Sequence, residues 1–457
     1  MAFKTVNPST NEQLKSFDML SKEQTLDAIE KADEAFDSWR STSYDHRKQF
    51  VLSFAKQLRE RVDEFAKLIT LEMGKRISEA REEIKFCAEI CEFYANGAES
   101  FLANEELEVE DTKAFIQYTP IGVLLGVMPW NFPFYQVVRF AAPNIMAGNT
   151  VLVKHAGNVP QCAQAIQELF DECNLPAGVF TNLFIPVEFV EPIISDKRIQ
   201  GVSLTGSERA GAAVAGHAGN NIKRSVLELG GNDAFIVLDD ADIDHVVEMA
   251  VKGRMANTGQ SCVAAKRFIV VEPVADEFMK GFKTQMEALT MGDPMDEQTD
   301  VGPLSTEEAA VDLNEKVQAS INAGATVVVG GGRPDRKGAY FHPTILTDIT
   351  SDMPTYDQEL FGPVASVYVV KDEAEAIKLA NDSSYGLGGS VYTKDIERGR
   401  RVAEQVDTGM MFINQPTNSQ AELPFGGTKN SGYGRELSSL GIMEFVNKKL
   451  IHLGKAK

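Results

Sequence analysis

From residue 121 onward the chain alternates short apolar runs with segments of helical spacing, and this pattern constrains the fold more than any other feature. The first runs lie at 123–128, 151–153, 180–185 and 201–204. A strand that is apolar on both faces has to be covered on both, which predicts a parallel sheet flanked by helices. Ligands of such sheets gather beyond the carboxyl ends of the strands. Trp130, Asn131, Lys154 and Ser207 all fall just past those ends, so one shared site is expected around them. A second alternating region predicts strands at 234–238, 268–272, 326–329 and 365–370, with helices near 242–256, 275–289, 306–323 and 373–381.

The remainder reads differently. Residues 1–104 are expected to be mainly helical. Ser21 with Gln24 forms a capping box that opens a helix to about Trp39, and further helices are predicted over 44–73 and 77–103. Residues 107–120 suggest two short strands around an acidic turn, whose open edges need a partner elsewhere. The tail after Val446, NKKLIHL, could add a strand to another subunit's sheet. Glycines 330–332 lack the GK[ST] ending of a phosphate loop and are expected to form a surface turn.

A chain of 457 residues has room for two or three domains. Its net charge of −21 disfavours nucleic acid or an anionic membrane as a partner. It does not disfavour a small anionic ligand, which responds to local charge. No apolar signal core opens the chain and no run approaches about 18 apolar residues, so a reducing cytoplasm is the expected location. The five cysteines are scattered and suggest no disulfide framework. Cys87 and Cys91 stand one helical turn apart, but no neighbouring His or Cys completes a metal set, and packing is the expected role.

Cys262 is different because of its setting, NTGQSCVAAKR at 257–267. Val247, Val251 and Met255 mark one face of a helix leading in, Gly259 interrupts it, and a β-branched strand follows from Phe268. The thiol therefore sits on a turn between two rigid elements. A lone cysteine is more often an inert hydrophobe than a nucleophile, so other residues have to decide. Glu228 lies on an otherwise apolar strand beside Val226, Leu227 and Leu229, where a carboxylate is costly unless paired or functional. Thr205-Gly206-Ser207 precedes a helical run from Glu208, so a helix N-terminus can meet an anion there, although this is no GxGxxG fingerprint.

Together PWNFP at 129–133, ELGG at 228–231, the TGQ-C segment and ELFGP at 359–363 resemble the aldehyde dehydrogenase superfamily, over essentially the whole chain. The resemblance implies an α/β protein in three parts. These are a Rossmann-type cofactor domain (1–105 and 121–230), a second α/β catalytic domain (231–430) and a small β oligomerisation flap (106–120 and 431–457). It makes Cys262 the nucleophile, Asn131 the side-chain donor of the oxyanion hole and Glu228 the base for thioester hydrolysis. Trp130, Lys154, His155, Gly157, Gly206, Ser207, Leu229, Glu359 and Phe361 would contact a nicotinamide cofactor, with Glu359 on the nicotinamide ribose. A homodimer or homotetramer is implied as well.

Two departures refine the expectation. Many NAD-preferring members carry a glutamate three residues after the lysine, where this chain has Gly157, so NADP or NAD can be used. Arg139 stands where many members have an aromatic residue, and Phe140 replaces the usual lysine. Arg139 with Ser419 and Phe425 resembles the semialdehyde dehydrogenases, in which the arginine would grip a substrate carboxylate, succinate semialdehyde foremost. If Arg139 instead forms a structural ion pair, a broad-specificity enzyme for uncharged aldehydes follows. A cysteine hydrolase would need a histidine partner that no motif supplies. A binding protein derived from the same fold would have no need to keep Cys262, Glu228 and Asn131 together.

Overall fold

The computed structural model describes residues 3–110 and 112–455. Its first sheet has six strands in the order Gly432–Tyr433, Arg224–Glu228, Ile199–Thr205, Val123–Met128, Thr150–His155, Phe180–Asn182. All neighbours are parallel except the short Gly432–Tyr433 edge. The chain starts at the centre with Val123–Met128 and steps outward through Thr150–His155 to Phe180–Asn182. It then returns across its starting strand to Ile199–Thr205 and Arg224–Glu228. The topological switch point therefore lies between Val123–Met128 and Ile199–Thr205, where a doubly wound sheet opens a crevice for a ligand. Asn131 and Gly206 follow directly from those two strands.

The second sheet has seven strands, Thr326–Val329, Thr344–Thr347, Val364–Val370, Arg267–Val271, Ala234–Val237, Gly389–Tyr392 and Phe412–Ile413, in that order. All are parallel but the first pair. Phe235, Val237, Phe268 and Val270 are almost fully buried, as continuous apolar runs require. The third sheet is small and antiparallel: Glu105–Leu107, Lys113–Pro120 and Val446–Leu453.

Several expectations need adjustment. The tail strand Val446–Leu453 pairs with Lys113–Pro120 of its own chain, which is the partner that segment lacked. Gly432–Tyr433 completes the first sheet, so the 431–457 segment is divided between two sheets. The helix predicted over 44–73 is two, Tyr44–Glu60 and Val62–Met73. They break at Arg61, which ion-pairs with Glu64 and Glu172 (both 2.6 Å). The strand expected over 180–185 stops at Asn182. Glycines 330 and 331 form the expected turn with positive φ.

The helical reading of the N-terminus missed a hairpin, Phe3–Asn7 with Glu12–Phe17. This hairpin reaches the cofactor side of the fold. Thr5 hydrogen-bonds the buried carboxylate of Glu72, which also accepts the N–H groups of Gln161 and Cys162 (2.8 Å each). Glu72 thus caps helix Pro160–Glu172, which has no side-chain cap of its own. The same hairpin brings the Phe3 ring against Gly157, where an added Cβ would stand 2.9 Å from it.

Candidate active site

Helix Ile243–Met255 ends in a turn whose residues Asn257, Thr258 and Gly259 all have positive φ (53°, 54° and 76°). Left-handed conformations at two non-glycine residues cost energy and persist only where the surroundings hold them. Here they are held. The Asn257 side-chain amide donates to the carbonyls of Asn131 (2.8 Å) and Gln260 (3.1 Å), and its backbone N–H donates to Glu79 (2.9 Å). Arg254 donates to the Gly259 carbonyl (2.7 Å). Gly259 has no room for a Cβ, which would stand 2.2 Å from the Gly362 carbonyl oxygen. The turn delivers Cys262 to a fixed, partly exposed position ahead of strand Arg267–Val271.

Cys262 lines two cavities at once. The larger, about 480 Å³, is bounded by Phe86, Phe132, Tyr135, Arg139, Ser419 and Phe425, with Lys75 and Glu79 among its other walls. The smaller, about 230 Å³, lies at the switch point and is bounded by Trp130, Asn131, Thr205, Gly206, Ser207, Leu229, Gly230, Glu359 and Phe361. Burial pushes the Cys262 thiol up to about 12, while Lys266 and Arg139 pull it down and Glu359 and Asp233 oppose them. No histidine is among these influences, which leaves a cysteine hydrolase without its base.

The smaller cavity gathers most of the residues expected to meet a cofactor. Ser207 caps helix Glu208–Asn220 through the Ala210 N–H (3.4 Å), so a helix N-terminus faces the crevice. Gly230 leaves space that a Cβ would fill, 2.7 Å from Glu359 Oε2. Trp130 and Phe361 meet edge to face with centroids 5.6 Å apart. Lys154 and Gly157 lie outside this cavity, at the end of strand Thr150–His155. Lys154 is 8% exposed and its ammonium donates to the His155 carbonyl (3.2 Å); burial depresses its pKa. A buried ammonium with no anion to offset that cost fits the phosphate of a nucleotide.

His155 needs correction as a cofactor contact. Its ring is buried, Nε2 donates to the Pro133 carbonyl (2.8 Å), and Nδ1 accepts the Ala156 N–H (2.8 Å). Burial pushes its pKa down to about 4, so the ring is neutral. It ties the 129–133 turn to its strand and has no nitrogen left for a ligand.

Asn131 is buried, and its Nδ2 donates to the Gln260 carbonyl (3.1 Å), which leaves one amide hydrogen for the Cys262 side. Glu228 is buried at the end of its strand, and neither carboxylate oxygen has a hydrogen-bond partner. Burial, then repulsion from Glu436, holds its pKa well above the ordinary range, against Arg139 and Arg435. It lines neither cavity.

Arg139 also departs from expectation. It is 1% exposed and ion-pairs through Nε with the buried carboxylate of Glu436. Nη1 donates to the Tyr135 hydroxyl (3.1 Å) and Nη2 to Thr205 Oγ1 (3.1 Å). The guanidinium is packed between the Tyr135 and Phe425 rings, 4.9 and 4.6 Å from their centroids. Nε, Nη1 and Nη2 thus each meet a protein partner, while the guanidinium still bounds the larger cavity. The Tyr135 hydroxyl donates onward to Ser419 Oγ (3.0 Å), so a hydrogen-bonded chain also runs from the arginine along the cavity wall. Glu436 and Lys266 were missed from sequence. A glutamate in the Gly-rich 426–436 stretch and a lysine four residues after the nucleophile were the available signals.

A thiol held at the wall between a doubly wound crevice and a second, largely apolar cavity fits an enzyme with a cysteine nucleophile and a separate site for a cofactor. The chain belongs to the aldehyde dehydrogenase family, whose pattern it matches over residues 1–451. It is 51% identical over 449 residues to the succinate-semialdehyde dehydrogenase (NADP(+)) of Deinococcus radiodurans, covering 98% of this chain and 94% of that protein. It is 47% identical over 454 residues to the enzyme of the same name from Mycobacterium leprae, covering 99% of both. The crystal structure of succinic semialdehyde dehydrogenase from Streptococcus pyogenes in complex with NADP+ superposes with a TM-score of 0.98. Identity there is 43%, over 99% of this chain and 100% of that one.

Proposed function

We propose that the chain oxidises a short aldehyde bearing a carboxylate, succinate semialdehyde first, and uses NADP+ at least as well as NAD+. The carrying observation is that Cys262 lines both cavities, so an aldehyde from one side and a cofactor from the other meet at a single sulfur. The names of the relatives support the substrate and the cofactor.

The residues divide the work. Cys262 attacks the aldehyde as a thiolate and forms a C–S bond. The free amide hydrogen of Asn131 and the Cys262 backbone N–H stabilise the oxyanion. Bound in the smaller cavity, a nicotinamide would supply the hydride acceptor, with Glu359 on its ribose, Ser207 and the helix N-terminus on its phosphates and Lys154 on the adenosine side. Glu228 takes a proton from water, which attacks the thioester carbonyl; the C–S bond breaks, and acid and thiolate are released. Because Glu228 lines neither cavity, it turns out of its charge cluster to do this. Ser419 donates to the substrate carboxylate, its hydroxyl polarised through Tyr135 by Arg139.

A homodimer or homotetramer is part of this reading. It is supported by the small sheet, whose outer strand Val446–Leu453 leaves Leu450 63% and Leu453 50% exposed. Five free thiols, four of them buried, suit a reducing cytoplasm. Steady-state rates with succinate semialdehyde and butanal, each with NADP+ and NAD+, test the proposal through reduced-nicotinamide absorbance. A higher kcat/KM for butanal would turn the assignment to a broad-specificity enzyme, and strict NAD+ use would reject the roles given to Lys154 and Gly157.

A further inference from the structure

Lys266 stands four residues after Cys262, is 2% exposed, and has no part in the mechanism above. Its ammonium donates to three carbonyls of the nucleophile's own loop: Ser261 (3.1 Å), Cys262 (2.8 Å) and Ala264 (3.1 Å). A fourth acceptor, Glu359 Oε1, lies 3.2 Å away. An ammonium has three N–H donors, so four acceptors compete for them. Glu359 is contested too: the same Oε1 accepts the Gly231 N–H (3.1 Å), and its side chain lines the cofactor-side cavity.

We propose that Lys266 is a positioning residue that makes the readiness of Cys262 depend on occupancy of the cofactor cavity. Its ammonium clamps the loop carbonyls beneath the thiol and divides its charge between that loop and Glu359. A ligand that engages Glu359 returns the charge to the loop. The cofactor half of this rests on reading Glu359 as the carboxylate that holds the nicotinamide ribose.

The electrostatics run in one direction. The charges acting most strongly on Cys262 are Lys266 from its own loop, Arg139 from helix Tyr135–Ala147, Glu359 from the 359–363 loop and Asp233 from the approach to strand Ala234–Val237, while Lys75, Glu79, Glu82 and Glu83 line the same cavity. Lys266 is the largest of these pulling toward the thiolate, and Glu359 the largest opposing it. Ribose hydroxyls donating to Glu359 spread its negative charge and loosen its hold on Lys266. Both changes favour the thiolate. The thiol then stays protonated in the empty enzyme and becomes a nucleophile once an oxidant is in place, which protects it from dead-end addition to aldehydes.

The test is the pH dependence of Cys262 alkylation by iodoacetamide, with and without saturating NADP+. It is run in the wild type, Lys266→Gln and Glu359→Gln. In the wild type NADP+ should lower the midpoint. Without cofactor, Lys266→Gln should raise the midpoint by about one pH unit and Glu359→Gln should lower it, and neither variant should respond to NADP+ as the wild type does. General loosening of the loop would move both variants the same way, so opposite signs support the clamp. Unshifted cofactor-free midpoints would overturn it. Should Lys266→Gln not fold, Glu359→Gln decides alone, because an unchanged midpoint there removes the shared charge. NADP+ affinity measured on Glu359→Gln separates the two readings. Unchanged affinity would reject the ribose contact, and with it the coupling to cofactor, even where the cofactor-free midpoints establish the clamp.

Discussion

Replacing Arg139 by Met removes the cation that ion-pairs with Glu436 and leaves two buried carboxyls, Glu436 and Glu228, repelling each other. Breaking a buried ion pair from one side costs about 3–5 kcal/mol, because the remaining charge stays desolvated. If a unit of about 250 residues unfolds together, this corresponds to a fall in Tm of roughly 6–10 °C. The loss should depend on pH. Burial already holds the Glu436 carboxyl above its ordinary pKa, and Arg139 is its main counterweight. Without Arg139 the folded pKa rises further above the unfolded value. A group raised in this way is harmless below the unfolded pKa and costs stability as pH rises. The deficit of Arg139→Met should therefore be larger at pH 8 than at pH 5.5, as read by thermal unfolding. Adding Glu436→Gln removes the orphaned charge, and the double variant should recover most of the loss. The same proteins assayed with succinate semialdehyde and butanal report on the chain through Tyr135 to Ser419. The single variant should lose about 10-fold or more in kcat/KM for the charged substrate beyond any loss for butanal. A double variant no more stable than Arg139→Met, with no pH dependence, would show that the pair with Glu436 is not what Arg139 supplies. Equal losses for both aldehydes would confine Arg139 to structure.

Cys262→Ser should still bind cofactor, checked by fluorescence titration, yet show no dehydrogenase turnover, because a hydroxyl with no adjacent base is a poor nucleophile. Glu228→Gln should give a burst of about one equivalent of reduced cofactor per site in stopped flow, followed by a slow steady state. In the wild type the raised pKa of Glu228 means that the base form grows as pH rises above the ordinary carboxylate range, so the deacylation rate should increase with pH. A burst-free Glu228→Gln would place that residue before hydride transfer. Gly157→Glu should lower kcat/KM for NADP+ by roughly 1–3 kcal/mol, about 5- to 150-fold, while sparing NAD+. Because a Cβ at this position crowds Phe3, the substitution is compared in a Phe3→Ala background, where equal harm to both cofactors would mark the effect as packing.

The parallel sheets were legible because strands such as Val123–Met128 and Arg267–Val271 are apolar on both faces, and such runs have few ways to be buried. Their ends located Asn131 and Ser207 by geometry alone. Cys262 and Glu228 became readable through the motifs around them. The pairings across the chain were not. Nothing in the periodicity around Arg139 points to Glu436, whose charge is brought to it by the path of the chain after the second sheet. Lys266 was visible as a residue but not as a clamp, because its acceptors are backbone carbonyls that any sequence provides. His155 was misjudged for a related reason. Its place beside Lys154 suggested a ligand contact, whereas its ring is used up inside the turn it faces. The N-terminal hairpin is short and mostly exposed, so its alternation carried little signal.

The placement of one sulfur in the walls of two cavities has a consequence for traffic through the enzyme. Each ligand has its own door, and neither has to pass the other to enter or leave. On the proposed reading, reduced cofactor can depart while an acyl group still occupies the sulfur, which would give water and base room on the side it has vacated. On the same reading, an inert dicarboxylate lodged in the larger cavity competes with the aldehyde, and its grip is felt across the partition through the shared thiol and the hydrogen bond from Arg139 to Thr205.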